Sequence, residues 1–234
     1  MVLSVVVVND GEERTVEGFG MQHDPDRMSR DEILLEISKA GIVGMGGAGF
    51  PTHVKLSPPN WEDIEYVIVN GAECEPLLRT DRYLMLSKAR EIVEAAAAIK
   101  REMDIPRCVI ALKGHYTDEI KALEAAIKEQ NAPVELHRLG SFYPAGDKQV
   151  IVYETTGTVI PPAGSTGRSG VLLYNVGTVY QIYHALKGRP FIYKYLTVTG
   201  EVRRPVIVRA PIGTSIAECI ALAGGAKIRD YRVV

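Results

Sequence analysis

Short apolar runs alternate with longer amphipathic stretches along most of the chain. Residues 65–71 (EYVIVNG), 107–113 (RCVIALK) and 134–139 (VELHRL) are the apolar runs, and each predicts a strand. Residues 81–103 and 116–130 carry apolar positions at helical spacing among Ala, Glu, Lys and Arg, so each predicts one helix. This alternation indicates an α/β layer architecture with a mostly parallel sheet.

Two further segments extend the pattern in both directions. Ser29 followed by Glu32 has the spacing of a capping box, and the apolar residues after it predict a helix that ends at Gly41. Residues 169–188 predict a strand, a turn and a helix. The sequence therefore predicts one α/β domain over residues 28–190.

The two ends of the chain have a different texture. Residues 1–27 predict a two-stranded ribbon that must lean on the rest of the protein. Residues 191–234 predict a strand, a turn, a second strand and a helix, and the last six residues (RDYRVV) predict the start of another strand. We therefore expect a third unit of ββα type that is incomplete at residue 234.

A glycine-rich loop occupies residues 41–56 (GIVGMGGAGFPTHVKL), where Gly44, Gly46 and Gly49 match the dinucleotide pattern G-x-G-x-x-G. The context argues against a Rossmann loop, because a helix precedes the glycines and prolines follow them with no helical run. No Gly-Lys-Ser/Thr closes the loop, so it is not a Walker A loop either. A purely structural turn is one interpretation. The other is that residues without Cβ let a planar ligand or a phosphate approach the backbone, with Lys55 neutralising the phosphate.

A polar loop follows the first predicted strand. Asn70, Glu73 and Glu75 come directly after its carboxyl end, which is where open α/β sheets bind ligands. Asn70 offers both a donor and an acceptor to the polar edge of a heterocycle. The alternative is a solvated acidic loop, in which Cys74 is a packing residue between the two glutamates.

Composition narrows the functional classes. The formal net charge is −2 and the basic residues are scattered, which argues against a nucleic-acid surface or a polybasic membrane tract. No apolar run approaches the roughly 20 residues that span a bilayer, and no signal-peptide pattern opens the chain. The three cysteines are far apart, which predicts a reducing, cytoplasmic location without a disulfide framework or an iron–sulfur run. Neither a metal site nor a catalytic acid–base pair is predicted.

Four motifs, in order along the chain, resemble one family. They are GMGGAGFPTHVK at 44–55, NGAECEP at 70–76 with a following Asp-Arg, FYPAGDKQ at 142–149 and YNVGTVYQIY at 174–183. Together they resemble the flavin-binding subunit of respiratory complex I. The most similar branch contains the RnfC protein of the Rnf electron-transport complex and the corrin-reducing flavoprotein of propanediol utilisation. Residues 198–225 resemble the soluble-ligand-binding β-grasp (SLBB) domain that follows in these proteins.

The resemblance implies a Rossmann-like layered domain that binds FMN non-covalently, followed by a β-grasp SLBB domain. It also implies that NADH reduces the flavin, that electrons leave to iron–sulfur centres outside this segment, and that the partners are other subunits of an electron-transfer complex. Such a complex would lie at the inner face of a membrane or in a bacterial microcompartment. The residues implied to hold FMN are Gly44, Gly46, Gly47, Gly49, Lys55, Asn70, Glu73, Asn175 and Thr178. The residues implied to contact the nicotinamide nucleotide are Phe50, Glu75 and Tyr143.

The chain departs from the complex I pattern at three of these motifs. Met45 stands where those members carry arginine, Cys74 where they carry glycine, and Lys148 in place of an acid on the nucleotide side. A second function therefore stays open, namely a non-enzymatic docking protein that binds a corrinoid or a partner through the β-grasp unit. The family also implies a helix over 147–157, where the Val, Ile and Tyr content alone predicts a strand.

Overall fold

The computed structural model describes residues 28–162 and 164–234, and before them only Glu12, Arg14, Val16 and Phe19. Apart from those four positions, the predicted N-terminal ribbon lies outside the described residues. The helices and strands of the described residues are α1 (Arg30–Lys39), α2 (Thr52–Lys55), β1 (Tyr66–Asn70), α3 (Thr80–Ser87), α4 (Ala89–Glu102), β2 (Arg107–Lys113), α5 (Thr117–Gln130), β3 (Glu135–Leu139), α6 (Lys148–Thr156), β4 (Val171–Asn175), α7 (Val176–Leu186), β5 (Tyr193–Val198), β6 (Val206–Pro211) and α8 (Ile216–Leu222).

The first four strands form a parallel sheet in the order β3-β2-β1-β4. This confirms the α/β class and the parallel sheet expected from the alternation of apolar runs and helices. In the pairing of β1 with β4, Asn70 lies opposite Asn175. The carboxyl ends of the two strands therefore place two asparagines side by side at one edge of the sheet.

Helices cover both faces of this sheet. Val67 and Val69 of β1 are fully buried in the core that contains α1, α3, α4, α5 and α7. Ile68 points to the opposite face, where it packs with Ile151 and Val152 of α6. Because alternate residues of a strand face opposite sides, a strand covered on both sides is apolar throughout, which explains the continuous runs in the sequence.

Several helices differ in detail from the sequence prediction. The helix predicted over residues 81–103 is two helices, because Lys88 leaves the helical conformation at φ −131° and ψ 26°. The Ser29–Glu32 capping box is present, and Gly41 takes a left-handed φ of +74° directly after the C-cap Ala40. A short helix, α2, follows the glycine loop where the sequence predicts none. Among the described residues, no helix has the length and apolar character to cross a bilayer.

The segment predicted as a strand by content and as a helix by family resemblance is the helix α6. Asp147 caps it, since Oδ1 of Asp147 accepts from the Gln149 N–H at 2.9 Å. Gly157 ends it in the left-handed conformation at φ +75°. Burial of Ile151 and Val152 against the sheet, together with both caps, overrides the β-propensity of the local sequence.

The residues after α7 form the β-grasp unit, in which β5 and β6 pair as antiparallel strands and α8 packs on them. Ser215 and Glu218 form a capping box at the start of α8. The prediction of a strand in the last six residues is wrong for the described structure, because these residues pair with no strand there.

Strand β5 stands against the α/β domain. The Gln181 side-chain amide of α7 donates to the Tyr193 carbonyl at 3.2 Å. The ring of Tyr195 lies 5.6 Å from that of Tyr83 on α3 and 6.1 Å from that of Tyr180 on α7. These contacts bring β5 next to the carboxyl edge of the parallel sheet.

Candidate functional site

A cleft with a volume of about 570 Å³ opens at the carboxyl edge of the parallel sheet. Its walls come from the glycine loop, the loop after β1, the first turn of α3, the loop before α6, the first turn of α7 and strand β5. Small-molecule sites are commonly about 300–1,000 Å³, and open α/β sheets bind ligands at this edge. In the described part of the chain, no group of three or more His, Cys, Asp or Glu side chains is arranged to hold a metal ion.

The glycine loop is closed by its own backbone and anchored to α7. The Gly44 N–H donates to the Phe50 carbonyl at 2.8 Å. The Met45 N–H donates to Oγ1 of Thr178 at 3.0 Å, and Thr178 is only 1 % exposed. Thr178 therefore fixes the position of the loop relative to the start of α7.

The four predicted glycines divide into two groups. Gly46 and Gly47 line the cleft, whereas Gly44 and Gly49 are outside its lining. Gly47 has a φ of +112°, which disfavours any side chain, and a Cβ built on it would meet no protein atom within 4 Å. A ligand can therefore approach the backbone at Gly46 and Gly47, while the φ of +63° at Gly49 serves the turn itself.

Asn175 joins two elements at the floor of the cleft. Its Oδ1 accepts from the Gly177 N–H at 2.8 Å and so caps α7. Its Nδ2 donates to Oδ2 of Asp81, on the first turn of α3, at 2.6 Å. The Asn175 amide is thus held in one orientation beside the amino end of α7, where the partial positive charge of the helix favours an anion.

Asn70 holds together the wall formed by the loop after β1 and the loop before α6. Its Nδ2 donates to the Gly146 carbonyl and its Oδ1 accepts from the Ala72 N–H, both at 2.9 Å. The Gly146 N–H donates to Sγ of Cys74 at 3.2 Å. A Cβ on Gly146 would lie 2.4 Å from the Ala72 carbonyl oxygen, so this tight contact requires glycine.

Two carboxyl groups in the cleft hold protons unusually well. Burial, and then the neighbouring Asp81 carboxylate, raise the pKa of Glu73 to about 7. Burial raises the pKa of Asp81 to about 6, although the hydrogen bond from Asn175 opposes the shift. Oε2 of Glu73 accepts from the Asp81 N–H at 3.1 Å, which places the two residues side by side. Desolvation of this kind is typical of a site closed to bulk water.

The remaining predicted ligand residues lie further out. Tyr143, which is 79 % exposed, and the exposed Glu75 lie at the rim of the cleft. Phe50 is 51 % exposed and is outside the lining. Lys55 is also outside the lining, because its ammonium donates to the Leu173 carbonyl and lies 4.8 Å from the centre of the Tyr174 ring. Ligand contacts of Phe50 and Lys55 stay predictions.

Other cleft residues are not anticipated from the sequence. Asp81 belongs to the Asp-Arg pair that ends the second motif, so a signal for it exists. Strand β5 is distant in sequence and carries no signal. One of its residues, Thr197, accepts from the Arg79 N–H at 3.1 Å. The residues that β5 adds to the lining are Lys194, Tyr195, Leu196 and Thr197.

The cleft residues fit the FMN that the sequence motifs imply. Open space beside Gly47 leaves room for a flat ring or a phosphate at the backbone. The amino end of α7 and the Lys194 side chain supply positive charge for a phosphate. Carboxyl and amide side chains supply donors and acceptors for the polar edge of the ring.

Comparison with known sequences identifies two domains. The sequence model of the Nuo51 FMN-binding domain matches residues 37–184, and that of the SLBB domain matches residues 195–233. Cobalamin reductase PduS of Salmonella typhimurium (strain LT2) is 41 % identical over 204 residues, which cover 87 % of this chain and 44 % of that protein. The RnfC-type component of the Na⁺-translocating ferredoxin:NAD⁺ oxidoreductase complex of Acetobacterium woodii is 34 % identical over 238 residues, which cover 100 % of this chain and 53 % of that protein. The chain spans about half the length of these curated relatives.

Solved structures show the same fold. A chain of an NAD⁺-reducing [NiFe]-hydrogenase in the H₂-reduced state superposes with a TM-score of 0.72 at 20 % identity, covering 87 % of this chain and 40 % of that one. The air-oxidised state gives a TM-score of 0.68 at 21 % identity, covering 85 % and 39 %. The layered α/β fold with its following unit is therefore shared with these proteins.

Proposed function

Because this chain belongs to the family of Nuo51 FMN-binding domains, we propose that its cleft holds FMN and that the chain is the flavin-binding part of an NADH-oxidising electron-transfer protein. The family match confirms the resemblance read from the motifs, including FMN as the cofactor and the SLBB domain. One observation carries the proposal for the cleft. The glycine loop, the loop after β1 and the first turn of α7 all lie within the matched residues 37–184, and all three line the same cleft.

The chain's own residues have three tasks in this proposal. When bound, FMN supplies hydride acceptance and one-electron release. Gly46 and Gly47 let the ligand approach the backbone, and Thr178 holds that loop in place. Asn175 fixes the amino end of α7, where an anionic group is stabilised.

The buried acids make ligand binding sensitive to pH. A protonated Glu73 carboxyl is neutral and can donate a hydrogen bond, whereas its ionised form repels an anionic ligand. The pKa of Glu73 is raised to about 7, so both forms are populated near neutral pH. We expect FMN affinity to rise as the pH falls from about 8 to about 6.

The nicotinamide nucleotide is placed at the outer part of the cleft, next to Glu75 and Tyr143 at the rim. Electrons then leave to iron–sulfur centres of other polypeptide segments or subunits, because the three cysteines of this chain are far apart in sequence. A relative that is part of a ferredoxin:NAD⁺ oxidoreductase complex supports this arrangement. We propose that the chain works within such a multi-subunit assembly in the cytoplasm.

The test is to load the protein with FMN, remove free flavin and mix it anaerobically with NADH in a stopped-flow instrument. The proposal predicts that the visible absorption of the oxidised flavin is retained by the protein and is rapidly bleached by NADH. Retained flavin that millimolar NADH fails to bleach would contradict the nucleotide part of the proposal. Failure to retain any flavin would contradict the FMN part and would favour the docking function instead.

A further inference from the structure

The charged side chains that line the cleft are almost all acidic. Among the described residues, the lining contains the carboxyl groups of Glu73, Glu75, Asp81 and Asp147 and one basic side chain, Lys194. FMN and NADH both bring phosphate groups, which repel ionised carboxylates at close range. A phosphate in this cleft therefore needs a cation nearby.

Lys194 is held at the cleft by the packing of its strand. The next residue, Tyr195, packs its ring on Tyr83 and Tyr180, and Oγ1 of Thr197 lies 2.8 Å from Oγ1 of Thr80. These contacts fix the backbone of β5 against the α/β domain. The flexible side chain of Lys194 then extends from a rigid base.

The Lys194 ammonium is close to the acids of the cleft but is not consumed by them. Its charge lowers the pKa of Asp81, which shows that the two groups interact through space. Yet among the described residues Lys194 forms no ion pair. Its side chain is exposed, so its three donors are available to a ligand.

The other lysine implied for this task is engaged elsewhere. The ammonium of Lys55 donates to the Leu173 carbonyl and lies over the Tyr174 ring, outside the cleft lining. Burial also lowers the pKa of Lys55, which disfavours its charged form. Of the two, Lys194 is the lysine that faces the cleft.

We propose that Lys194 binds a phosphate group in the cleft through Nζ, so that the β-grasp unit supplies a ligand-binding residue to the flavin site. The phosphate belongs either to FMN or to the nicotinamide nucleotide, and both sources offer anionic phosphate oxygens. This assignment rests on the proposed function, because it needs a phosphorylated ligand in the cleft.

The test compares Lys194→Gln with wild-type protein in three titrations: FMN, riboflavin, and NADH added to FMN-loaded protein. Riboflavin lacks the phosphate but keeps the ring. Binding is followed by quenching of flavin fluorescence, and for NADH by the amplitude of flavin bleaching. Lys194→Arg keeps the charge and tests rescue. Lys121→Gln, on the exposed face of α5, is the matched control for loss of one lysine.

Loss of a charge-assisted hydrogen bond should weaken the affected ligand by about ten- to a hundred-fold. Weaker FMN binding with unchanged riboflavin binding assigns Lys194 to the flavin phosphate. Unchanged FMN binding with weaker NADH binding assigns it to the nucleotide. In either case Lys194→Arg should recover most of the affinity and Lys121→Gln should behave as wild type.

Other outcomes contradict the assignment. If Lys194→Gln binds all three ligands as wild type does, or if it weakens riboflavin as much as FMN, Lys194 has no phosphate role. Such a result would leave the proposed function intact, because wild-type protein would still bind flavin. Wild-type protein that binds neither flavin nor NADH would contradict the proposed function and the Lys194 assignment together.

Discussion

Glu73 is the cleft residue whose ionisation most directly links pH to stability. Its pKa is raised from 4.5 to about 7 in the folded protein, so the folded state holds this proton more tightly than the unfolded state does. The stability that it contributes is therefore fully present below pH 4.5 and is lost as the pH rises to about 7. Above that range the folded protein carries a partly buried negative charge, which is destabilising.

Glu73→Gln should therefore stabilise the ligand-free protein at about pH 8 and have little effect at about pH 5. Glutamine is neutral and keeps an oxygen to accept from the Asp81 N–H. Thermal unfolding at both pH values measures the effect, with the exposed Glu62→Gln as a control that should show no such pH dependence. An equal melting-temperature difference at the two pH values would show that the carboxyl is not protonated in the folded state.

Sequence patterns identify the cleft residues that belong to short motifs and miss those that only the fold brings in. Asn70 and Asn175 are identified because each follows a predicted strand, and β1 pairs with β4 so that they lie opposite one another. Lys194 lies on a strand outside the α/β domain, and no local pattern connects it to the glycine loop. Gly146 is required by the Ala72 carbonyl oxygen 2.4 Å from its would-be Cβ, a contact that no single sequence reveals.

At the scale of elements, the glycine loop is the feature that most clearly separates ligand binding from folding. Gly47 lines the cleft at φ +112°, while Gly213, in the turn before α8, has φ +99° and is absent from the lining of that cleft. A Cβ on either glycine meets no atom within 4 Å, so alanine introduces mainly backbone strain at both sites. That strain is about 1–3 kcal/mol at each site.

Gly47→Ala and Gly213→Ala should therefore lose similar stability, and only Gly47→Ala should lose FMN affinity. Chemical denaturation measures the first quantity and flavin fluorescence titration the second. If both variants bind FMN as wild type does, the glycine loop is a structural turn and the cleft has been assigned to the wrong ligand.

The contact between the glycine loop and α7 gives a second prediction at this scale. Thr178→Val keeps the shape of the side chain but removes the acceptor for the Met45 N–H, which should cost about 1–3 kcal/mol and loosen the loop. Thr117→Val, at the exposed start of α5, is a matched control with little expected effect. Hydrogen exchange at the Met45 amide should accelerate in Thr178→Val alone. Unchanged exchange there would mean that the loop holds its position without this bond.

Element prediction is limited where tertiary contacts outweigh local preference. The run that begins α6 favours a strand by content, yet burial on the sheet and the Asp147 cap make it helical. The long predicted helix breaks at Lys88, and the sequence there contains neither glycine nor proline. The strand expected in the last six residues needs a neighbouring strand, which the described residues do not provide.

At the scale of the whole molecule, the cleft belongs to both units. Its floor is the edge of the parallel sheet and one wall is β5 of the β-grasp unit. Ligand binding should therefore stabilise both units together. FMN at about a hundred times its dissociation constant should add about 2.7 kcal/mol and raise the melting temperature of a chain of this size by roughly 5–10 °C in a single transition. Two separate transitions, with only the first moving, would show that β5 is not coupled to the site.

The most direct test of the central claim, that this cleft binds FMN, is an equilibrium titration of the ligand-free protein with FMN, monitored by flavin fluorescence. We predict saturable binding of one FMN per chain, weakened in Gly47→Ala and preserved in Gly213→Ala. Absence of saturable binding, or binding that Gly47→Ala leaves unchanged, would contradict the claim.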